Sequence, residues 1–255
     1  MPPSSIPFLD HPGPLAFAHR GGAGDWPENT MPAFEGAVAL GYRYVETDVH
    51  ATADGVLVAF HDESLDRVTD RAGLIRELPW SEVSAARVDG REPIPLFEDL
   101  LGTFGDLRVN VDPKHELAVA PLVAAIRRTG AAARICVGSF SDARIAAVKA
   151  GVGPELCTSL GPKGTARVKA AGYRAPVGRL EGQCLQVPVS AKGITVTDER
   201  FVTTAHRLGL QVHVWTIDDP AEMERLLDMG VDGIMTDRPA LLRDVLERRG
   251  EWHGA

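Results

Sequence analysis

Two carboxylates at positions 46 and 48 are the first candidates for chemistry in this sequence. Glu46 and Asp48 stand two positions apart in the segment YVETDVH, residues 44–50. If the segment is a β-strand, alternate side chains share a face, so Glu46, Asp48 and His50 point to the same side. Neighbouring carboxylates repel each other, and a hard divalent cation bound through their oxygens relieves that repulsion. The spacing therefore favours a metal site, while a solvated edge strand with one polar face is the alternative.

Two histidines that end apolar runs are candidates for proton transfer. His19 follows the run at residues 15–18, and His61 follows the run at 56–60, which an Asp-Gly turn at 54–55 joins to the preceding strand. Imidazoles titrate near neutral pH, so one can remove a proton while the other supplies one. A single histidine at a strand end is more often a hydrogen-bonded structural group, which is the alternative for each of the two.

The elements that carry these residues alternate between strand and helix patterns. Strands are predicted at residues 15–18, 44–50, 108–114, 135–140, 156–160, 184–189, 194–196, 210–216 and 233–236. Helices are predicted at residues 31–40, 117–129, 141–149, 164–171, 198–208, 219–229 and 239–249. Helix caps are predicted at Asn29 or Thr30, at Asp198, at Asp218 or Asp219, and at Asp237. About eight repeats in 255 residues fit a (β/α)8 barrel, with a doubly wound open sheet as the alternative.

A barrel brings the carboxyl ends of its strands together at one mouth, which is where active sites lie. The polar residues at predicted strand ends are His19, Arg20, Glu46, Asp48, His61, Asp112, Lys114 and Trp215. Their convergence from separate segments indicates a site more strongly than any single motif. The open-sheet alternative lacks its usual fingerprint, because residues 20–24 match the G-x-G-x-x-G dinucleotide motif poorly.

The composition limits the classes of function. A net charge of −8 argues against nucleic acid as a partner, and no basic stretch suits an anionic membrane. No run approaches the roughly 20 apolar residues of a membrane span, so no integral membrane segment is expected. Residues 1–13 lack a secretory signal and are expected to form a mobile arm. Cys136, Cys157 and Cys184 show no C-x-x-C spacing, which indicates buried free thiols in a reducing cytoplasm.

Several short motifs are spread over nearly the whole chain. They are His19-Arg20-Gly21, Pro27-Glu28-Asn29-Thr30, Glu46-Thr47-Asp48-Val49, Asp54-Gly55 leading to His61-Asp62, Asn110-Val111-Asp112-Pro113-Lys114, Val214-Trp215-Thr216 and Asp232-Gly233-Ile234-Met235-Thr236-Asp237-Arg238-Pro239. Together they resemble the glycerophosphodiester phosphodiesterase family, which has a TIM barrel with an insertion after the second strand. The resemblance implies one domain over residues 1–255, with the irregular segment at about 51–107 as the insertion.

The resemblance implies that Glu46, Asp48 and Asp112 bind one divalent cation. Magnesium or calcium is the usual ion of the family, with manganese as a further option. The family more commonly has glutamate where Asp112 stands, and the shorter side chain could narrow the choice of metal or admit a water ligand. The alternative is that Asp112 is a turn residue before Pro113.

The resemblance also implies the catalytic pair and the substrate contacts. His19 and His61 match the acid and base, without an assignment of which is which. Arg20 and Lys114 match positions that hold the phosphate, and their charges suit its non-bridging oxygens, although Lys114 could instead pair with a carboxylate. The other predicted substrate-binding residues are Glu28, which would contact substrate or orient Arg20, and Trp215, which would stack on the glycerol or its substituent unless it is a core residue.

The implied activity is metal-dependent hydrolysis of a small-molecule glycerophosphodiester to sn-glycerol 3-phosphate and an alcohol. In the usual scheme of the family, the glycerol 2-hydroxyl attacks phosphorus, an imidazole protonates the departing alcohol, and water opens the cyclic phosphate. One alternative is a lysophospholipase D, which would need an apolar lip for an acyl chain, for example residues 184–189. The other is a non-catalytic barrel that binds metal and a phosphorylated ligand.

Overall fold

Eight parallel strands form a closed barrel in the computed structural model, which describes residues 6–254. The strands are β1 (Leu15–Ala18), β2 (Tyr44–Ala51), β3 (Arg108–Pro113), β4 (Ile135–Val137), β5 (Cys157–Leu160), β6 (Cys184–Pro188), β7 (Gln211–Trp215) and β8 (Gly233–Thr236). Each strand pairs with the next in parallel, and β1 pairs with both β2 and β8, which closes the sheet. The predicted (β/α)8 barrel is confirmed.

One helix follows each strand and packs on the outside of the barrel. The helices are α1 (Met31–Ala39), α2 (Phe97–Thr103), α3 (Val119–Thr129), α4 (Asp142–Val152), α5 (Pro162–Ala171), α6 (Glu199–Arg207), α7 (Pro220–Met229) and α8 (Pro239–Arg249). Side-chain oxygens of Thr30, Ser141, Asp198 and Asp219 accept N–H groups of the first helical turns. Across residues 6–254, every helix is too short or too polar to cross a bilayer.

The alternation along β2 divides its side chains between two environments. Val45 and Val49 face outward and join the main hydrophobic core between the barrel and its helices. Glu46 and Asp48 have the opposite parity and line a cavity at the mouth of the barrel. All eight residues of the strand are buried, so the polar face lies inside the barrel and is not a solvated edge.

The segment between β2 and α2 is an excursion with its own hydrophobic cluster. Leu57–Ala59 pairs antiparallel with the end of β2, and the chain continues through the short helix Trp80–Val83 and the ribbon of Arg87–Val88 with Glu92–Pro93. The buried members of the cluster are Val58, Phe60, Leu65, Ile75, Val83, Ala86, Val88 and Ile94. The range predicted for the insertion, about 51–107, also contains α2, which packs against α3 in the outer ring of helices.

The predicted strand at residues 194–196 is not part of the barrel. Ile194–Thr195 pairs antiparallel with Ser190–Ala191 and forms a small ribbon after β6. Lys192 and Gly193, which connect the two strands, both have positive φ, the backbone conformation of a tight hairpin turn. The turn reverses the chain at once, so the second strand pairs with its neighbour in sequence and does not enter the parallel sheet.

The start of the described chain packs against the base of the barrel, so the prediction of a mobile arm is wrong from residue 6 onward. Phe8 and Leu9 are buried in a cluster that includes Phe17 and Tyr44. The hydroxyl of Tyr44 donates to the carbonyl oxygen of Phe8 at 2.9 Å. Burial of two large apolar side chains outweighs the high Pro and Ser content of this segment. The first five residues of the predicted arm lie outside the described residues.

Candidate active site

A tight turn after β1 brings His19 and Arg20 to the mouth of the barrel. In this 3-10 turn, His19–Gly21, Arg20 has a left-handed backbone with a φ of 51°. Gly21 also has positive φ, and a Cβ there would lie 2.7 Å from the Cβ of Ala33 on α1. Glycine is required at this position because the turn packs directly on the first turn of α1.

The imidazole of His19 lies between two acidic side chains. Its Nδ1 is 2.6 Å from Oδ1 of Asp237, and its Nε2 is 3.6 Å from Oε2 of Glu46. Because a carboxylate accepts the hydrogen bond, Nδ1 carries a proton and Nε2 is the nitrogen that remains for chemistry. Burial lowers the pKa of His19, but the carboxylates of Glu46 and Asp237 outweigh burial, so the pKa lies above its ordinary value.

Asp237 supports His19, and the prediction that it caps a helix is wrong. Its side chain makes no capping hydrogen bond to α8. Asp218 fixes the main chain of Asp237. Its Oδ1 accepts hydrogen bonds from the N–H of Asp237 and from the hydroxyl of Thr236, both at 2.8 Å. Of the two neighbouring acids predicted as a cap, Asp219 caps α7. The sequence did offer a sign that Asp237 is a site residue, because it lies directly after a predicted strand, at residues 233–236, and within one of the family motifs.

Glu46 and Asp48 are buried two positions apart on the inner face of β2. Burial and the neighbouring Asp48 raise the pKa of Glu46 to about 7. Burial alone would raise the pKa of Asp48 as well, but Lys114 outweighs it and the pKa lies below its ordinary value. Nζ of Lys114 is 2.6 Å from Oδ1 of Asp48. The inner face of β2 therefore concentrates negative charge that a cation stabilises.

Asp112 stands beside Asp48 on the adjacent strand, where the two are register partners. Lys114 bridges them, with Nζ 2.9 Å from Oδ2 of Asp112. Burial lowers the pKa of Lys114, but Asp48 and Asp112 outweigh it and the pKa is raised, so the ammonium stays charged. The ion pair that sequence analysis gave as an alternative for Lys114 is thus formed.

Glu46, Asp48 and Asp112 have the chemistry of a site for a hard cation. They offer oxygen atoms only, which magnesium and calcium prefer. Oδ1 of Asp112 is buried and has no hydrogen-bond partner among the described residues, so it is an available ligand. Within residues 6–254, the oxygens of the three carboxylates do not all lie within 4.8 Å of one another. The donor set fits the predicted ion, and the side chains would have to draw together around it.

His61 follows the short strand Leu57–Ala59 and is held by two contacts. Its Nδ1 is 2.6 Å from Oδ1 of Asp62, the next residue. Nε2 of His50 donates to the carbonyl oxygen of His61 at 3.1 Å and so fixes its main chain. His61 therefore matches His19, with Nδ1 on a carboxylate and Nε2 left for chemistry. The side chain of His50 lies on the same face of β2 as that of Glu46, as predicted. Its hydrogen bond goes to the main chain of His61.

Arg67, which sequence analysis missed as a site residue, joins the two sides of the site. It lies in the excursion, where Nε and Nη2 donate to Asp62 at 2.5 and 3.0 Å. Nη1 and Nη2 also donate to Glu28 at 3.0 and 2.7 Å, and Glu28 accepts from Nη1 of Arg20 at 3.1 Å. The hydrogen bonds from Arg67 hold the pKa of Asp62 well below its usual range. The signal in the sequence was the density of charge at residues 66–70.

Asn29 belongs to the site and is not the cap of α1. Thr30 takes the capping role and accepts from the N–H of Ala33 at 3.4 Å. Nδ2 of Asn29 donates to Oδ2 of Asp48 at 3.4 Å, and its Oδ1 accepts from the hydroxyl of Thr47 at 2.7 Å. Asn29 thereby fixes the orientation of Asp48 from the side of α1.

A cavity of about 470 Å³ opens at the mouth of the barrel. The predicted site residues that line it are His19, Arg20, Glu46, Asp48, His61, Asp112, Lys114 and Trp215. The remaining one, Glu28, contacts Arg20, so the structure brings the predicted set together. Trp215 is partly buried and lines the cavity, where its ring packs edge-on against Phe140 with centroids 5.8 Å apart.

The side of the cavity next to Trp215 is apolar. Phe140 is 68% exposed, and Ile194 on the ribbon after β6 is 67% exposed, so both add apolar surface at the rim. The predicted apolar lip at residues 184–189 is formed only in part, because this segment is chiefly β6 and half of its residues are buried in the barrel. Val187 and Pro188 are its apolar members that reach the cavity.

Comparisons with known proteins point to one family. Residues 19–241 match the model of the Glycerophosphoryl diester phosphodiesterase family. A protein of Mycobacterium tuberculosis (strain ATCC 25618 / H37Rv), named "Probable glycerophosphodiester phosphodiesterase 2", is 42% identical over 259 residues, covering 98% of this chain and 97% of that protein. The mouse protein "Lysophospholipase D GDPD1" is 24% identical over 270 residues, covering 90% of this chain and 85% of that protein.

A solved structure gives the same family. The crystal structure of "Putative glycerophosphoryl diester phosphodiesterase" from Silicibacter pomeroyi DSS-3 superposes on this chain with a TM-score of 0.82. The match covers 97% of this chain and 99% of that chain at 25% sequence identity.

Proposed function

Since the chain belongs to the glycerophosphoryl diester phosphodiesterase family and is a phosphoric diester hydrolase, we propose that it converts glycerophosphodiesters to sn-glycerol 3-phosphate and an alcohol. Proton transfer would occur at His19 and His61, with a divalent cation held by Glu46, Asp48 and Asp112. The small-molecule substrate would occupy the cavity at the mouth of the barrel.

The observation that carries the proposal is the matched setting of the two histidines. Each imidazole has its Nδ1 on a carboxylate, Asp237 for His19 and Asp62 for His61, at 2.6 Å in both cases. This contact fixes the tautomer and the ring, and it stabilises the imidazolium that forms when Nε2 takes a proton. Two such imidazoles on one cavity support a reaction in which one removes a proton and the other returns one.

The basic residues of the site would bind the phosphate. Arg20 can present N–H groups to two non-bridging oxygens, while Lys114 supplies a point charge beside Asp48 and Asp112. Fixed positive charges stabilise the negative charge that grows on the oxygens as the new P–O bond forms. Glu28 holds the guanidinium of Arg20, so this contact is pre-organised.

The proton transfers divide between the two imidazoles. One Nε2 would accept the proton of the glycerol 2-hydroxyl as that oxygen attacks phosphorus, and the other would donate a proton to the departing alcohol oxygen. Water would then attack phosphorus in the resulting cyclic phosphate and open it to glycerol 3-phosphate. A bound divalent cation would add charge neutralisation at the phosphate and would lower the pKa of the attacking hydroxyl. Glu46, Asp48 and Asp112 would hold it through their oxygens, and Asn29 would keep Asp48 in place.

The direct test measures phosphodiesterase activity on glycerophosphocholine after treatment of the protein with EDTA and removal of the chelator. Magnesium, calcium, manganese or zinc is then added back separately, and glycerol 3-phosphate is assayed. We expect product only with a divalent cation. Equal product in EDTA would contradict the metal requirement, and no product with any metal, from protein with a folded circular dichroism spectrum, would contradict the proposed substrate.

A lysophospholipase D is the second candidate, because one side of the cavity has an exposed apolar rim at Phe140 and Ile194. Such a rim suits the acyl chain of a lysophospholipid, and the mouse relative carries the name of that activity. Release of choline from lysophosphatidylcholine and from glycerophosphocholine, compared at equal concentrations, separates the two candidates.

A further inference from the structure

Three cysteines meet inside the barrel. Cys136 on β4, Cys157 on β5 and Cys184 on β6 are fully buried, and none is in a disulfide. Their sulfur atoms all lie within 4.8 Å of one another, and the sulfurs of Cys136 and Cys184 are 3.8 Å apart. The proposed hydrolysis makes no use of them.

The strand order of the barrel produces this cluster. Cys136 and Cys157 are register partners on adjacent strands, and Cys184 lies on the next strand, β6. The thiols belong to a hydrophobic cluster inside the barrel that also contains Phe17 and Met235. Val137, the neighbour of Cys136, has the opposite parity and packs in the core between the barrel and the helices.

We propose that the three sulfurs form a binding site for the monovalent thiophilic cation Cu(I). Metal–sulfur bonds of about 2.3 Å in a planar three-coordinate arrangement separate the sulfurs by about 4.0 Å. The distance of 3.8 Å between the sulfurs of Cys136 and Cys184 is close to this value, and the sulfur of Cys157 lies within 4.8 Å of both. Sulfur ligands are soft and select soft cations over magnesium or calcium.

Ligand number favours Cu(I) over Zn(II). Structural zinc takes four ligands, whereas the described residues place three ligating side chains together here. Each sulfur that binds the cation does so as a thiolate and releases its thiol proton.

The cluster lies directly beneath the active-site cavity, which gives a cation a route to it. Gln186 lines the cavity, and its Nε2 is 3.8 Å from the sulfur of Cys136. The same Nε2 donates to Oδ1 of Asn110 at 2.7 Å. Gln186 thus lies between the cavity and the sulfur of Cys136, and a cation would reach the sulfur by displacing this side chain.

The test titrates the reduced and desalted protein, without oxygen, with Cu(I) supplied as its bicinchoninate complex. We expect one equivalent of Cu(I) to move to the protein, with new near-ultraviolet absorption from sulfur-to-copper charge transfer. Cys136→Ser, Cys157→Ser and Cys184→Ser should each weaken retention roughly tenfold or more. Val137→Ala is the matched control, because it removes core packing on β4 and keeps all three sulfurs, so it should retain Cu(I) as the wild type does.

Three results would overturn the proposal. In the first, the wild-type protein leaves all of the Cu(I) with bicinchoninate. In the second, Val137→Ala loses Cu(I) as readily as Cys157→Ser, which would trace retention to the stability of the fold and not to sulfur ligands. In the third, a parallel titration of Zn(II) against 4-(2-pyridylazo)resorcinol shows one-to-one retention that Cys157→Ser abolishes, which would place a divalent cation on the sulfurs and contradict a monovalent one.

Discussion

The guanidinium of Arg67 donates two hydrogen bonds to the carboxylate of Asp62, at 2.5 and 3.0 Å. The same guanidinium holds Glu28, so one side chain of the excursion connects the partner of His61 with the partner of Arg20. Asp62 in turn contacts Nδ1 of His61. The excursion after β2 therefore contributes to the orientation of both a candidate proton-transfer group and a candidate phosphate ligand.

Replacement of Arg67 should impair catalysis although Arg67 itself is not proposed to react. We expect Arg67→Met to lower kcat roughly 10- to 100-fold, because partners that orient active residues have effects of this size. Arg67→Lys should recover only part of the lost kcat. It keeps the positive charge, but an ammonium cannot make the paired contacts of a guanidinium. Steady-state kinetics on glycerophosphocholine measures both variants.

The control for Arg67 is Arg76, which lies in the same excursion and pairs with Glu63 at 3.0 Å, away from the site. Arg76→Met should leave kcat within about twofold of the wild type, and its thermal stability should resemble that of Arg67→Met, because an exposed ion pair contributes about 0–1 kcal/mol. Equal losses of activity in the two variants would show that Arg67 has no special role.

The barrel and most of the site follow from local patterns in the sequence. The period of two along β2 assigns Val45 outward and Glu46 inward, and strand ends in a barrel must share one mouth. A local pattern is sufficient here because each side chain is positioned by its own strand. His19, Glu46 and Lys114 are therefore predictable without knowledge of the tertiary contacts.

Contacts that cross the fold were not predictable in the same way. Asp237 resembles a helix cap locally, and its pairing with His19 depends on the closure of β8 against β1. Arg67 depends on the path of the irregular excursion, which no periodicity describes. The buried position of Phe8 likewise depends on a contact with Tyr44, 36 residues away.

Loss of either proposed proton-transfer group should reduce turnover strongly. We expect His19→Ala and His61→Ala each to lower kcat by roughly 10² to 10⁴, the usual range for general acid–base catalysis. His253→Ala is the control, because His253 packs beside His11 near the end of the chain and outside the cavity. Rates like those of the wild type in the His19 or His61 variant would exclude that residue from proton transfer.

The proposed metal site predicts a shift in the requirement for the cation. Asp112→Asn replaces a charged ligand by a neutral one, so the magnesium concentration for half-maximal activity should rise roughly tenfold or more. Asp106→Asn is a matched control, since Asp106 is exposed on the loop before β3. An unchanged magnesium requirement in Asp112→Asn would remove Asp112 from the ligand set.

His213 should make the fold sensitive to acid. It is fully buried in the barrel, and burial lowers its pKa from 6.5 to about 3. Between these values the unfolded chain binds a proton that the folded state does not, so stability is fully present above pH 6.5 and falls as the pH decreases toward 3. From pH 7 to pH 5, this one group should cost about 2 kcal/mol of unfolding free energy.

The variant His213→Gln tests this acid sensitivity, because glutamine can still donate to Oε1 of Gln211 and does not titrate. Urea unfolding at pH 7 and pH 5 should show a smaller decrease for His213→Gln than for the wild type, by about 2 kcal/mol. His253→Gln, at an exposed site, should behave as the wild type. An unchanged decrease in His213→Gln would mean that other groups dominate the acid response.

The apolar rim of the cavity should matter only to substrates that carry a chain. Ile194→Ser and Phe140→Ser each remove apolar surface that an acyl chain would cover, so KM for lysophosphatidylcholine should rise about tenfold while KM for glycerophosphocholine stays within about twofold. Leu117→Ser is the control, because Leu117 is also exposed, at 54%, but does not line the cavity. If Ile194→Ser raises KM equally for lysophosphatidylcholine and glycerophosphocholine, the rim does not distinguish the two substrates. The second candidate function then loses its structural basis.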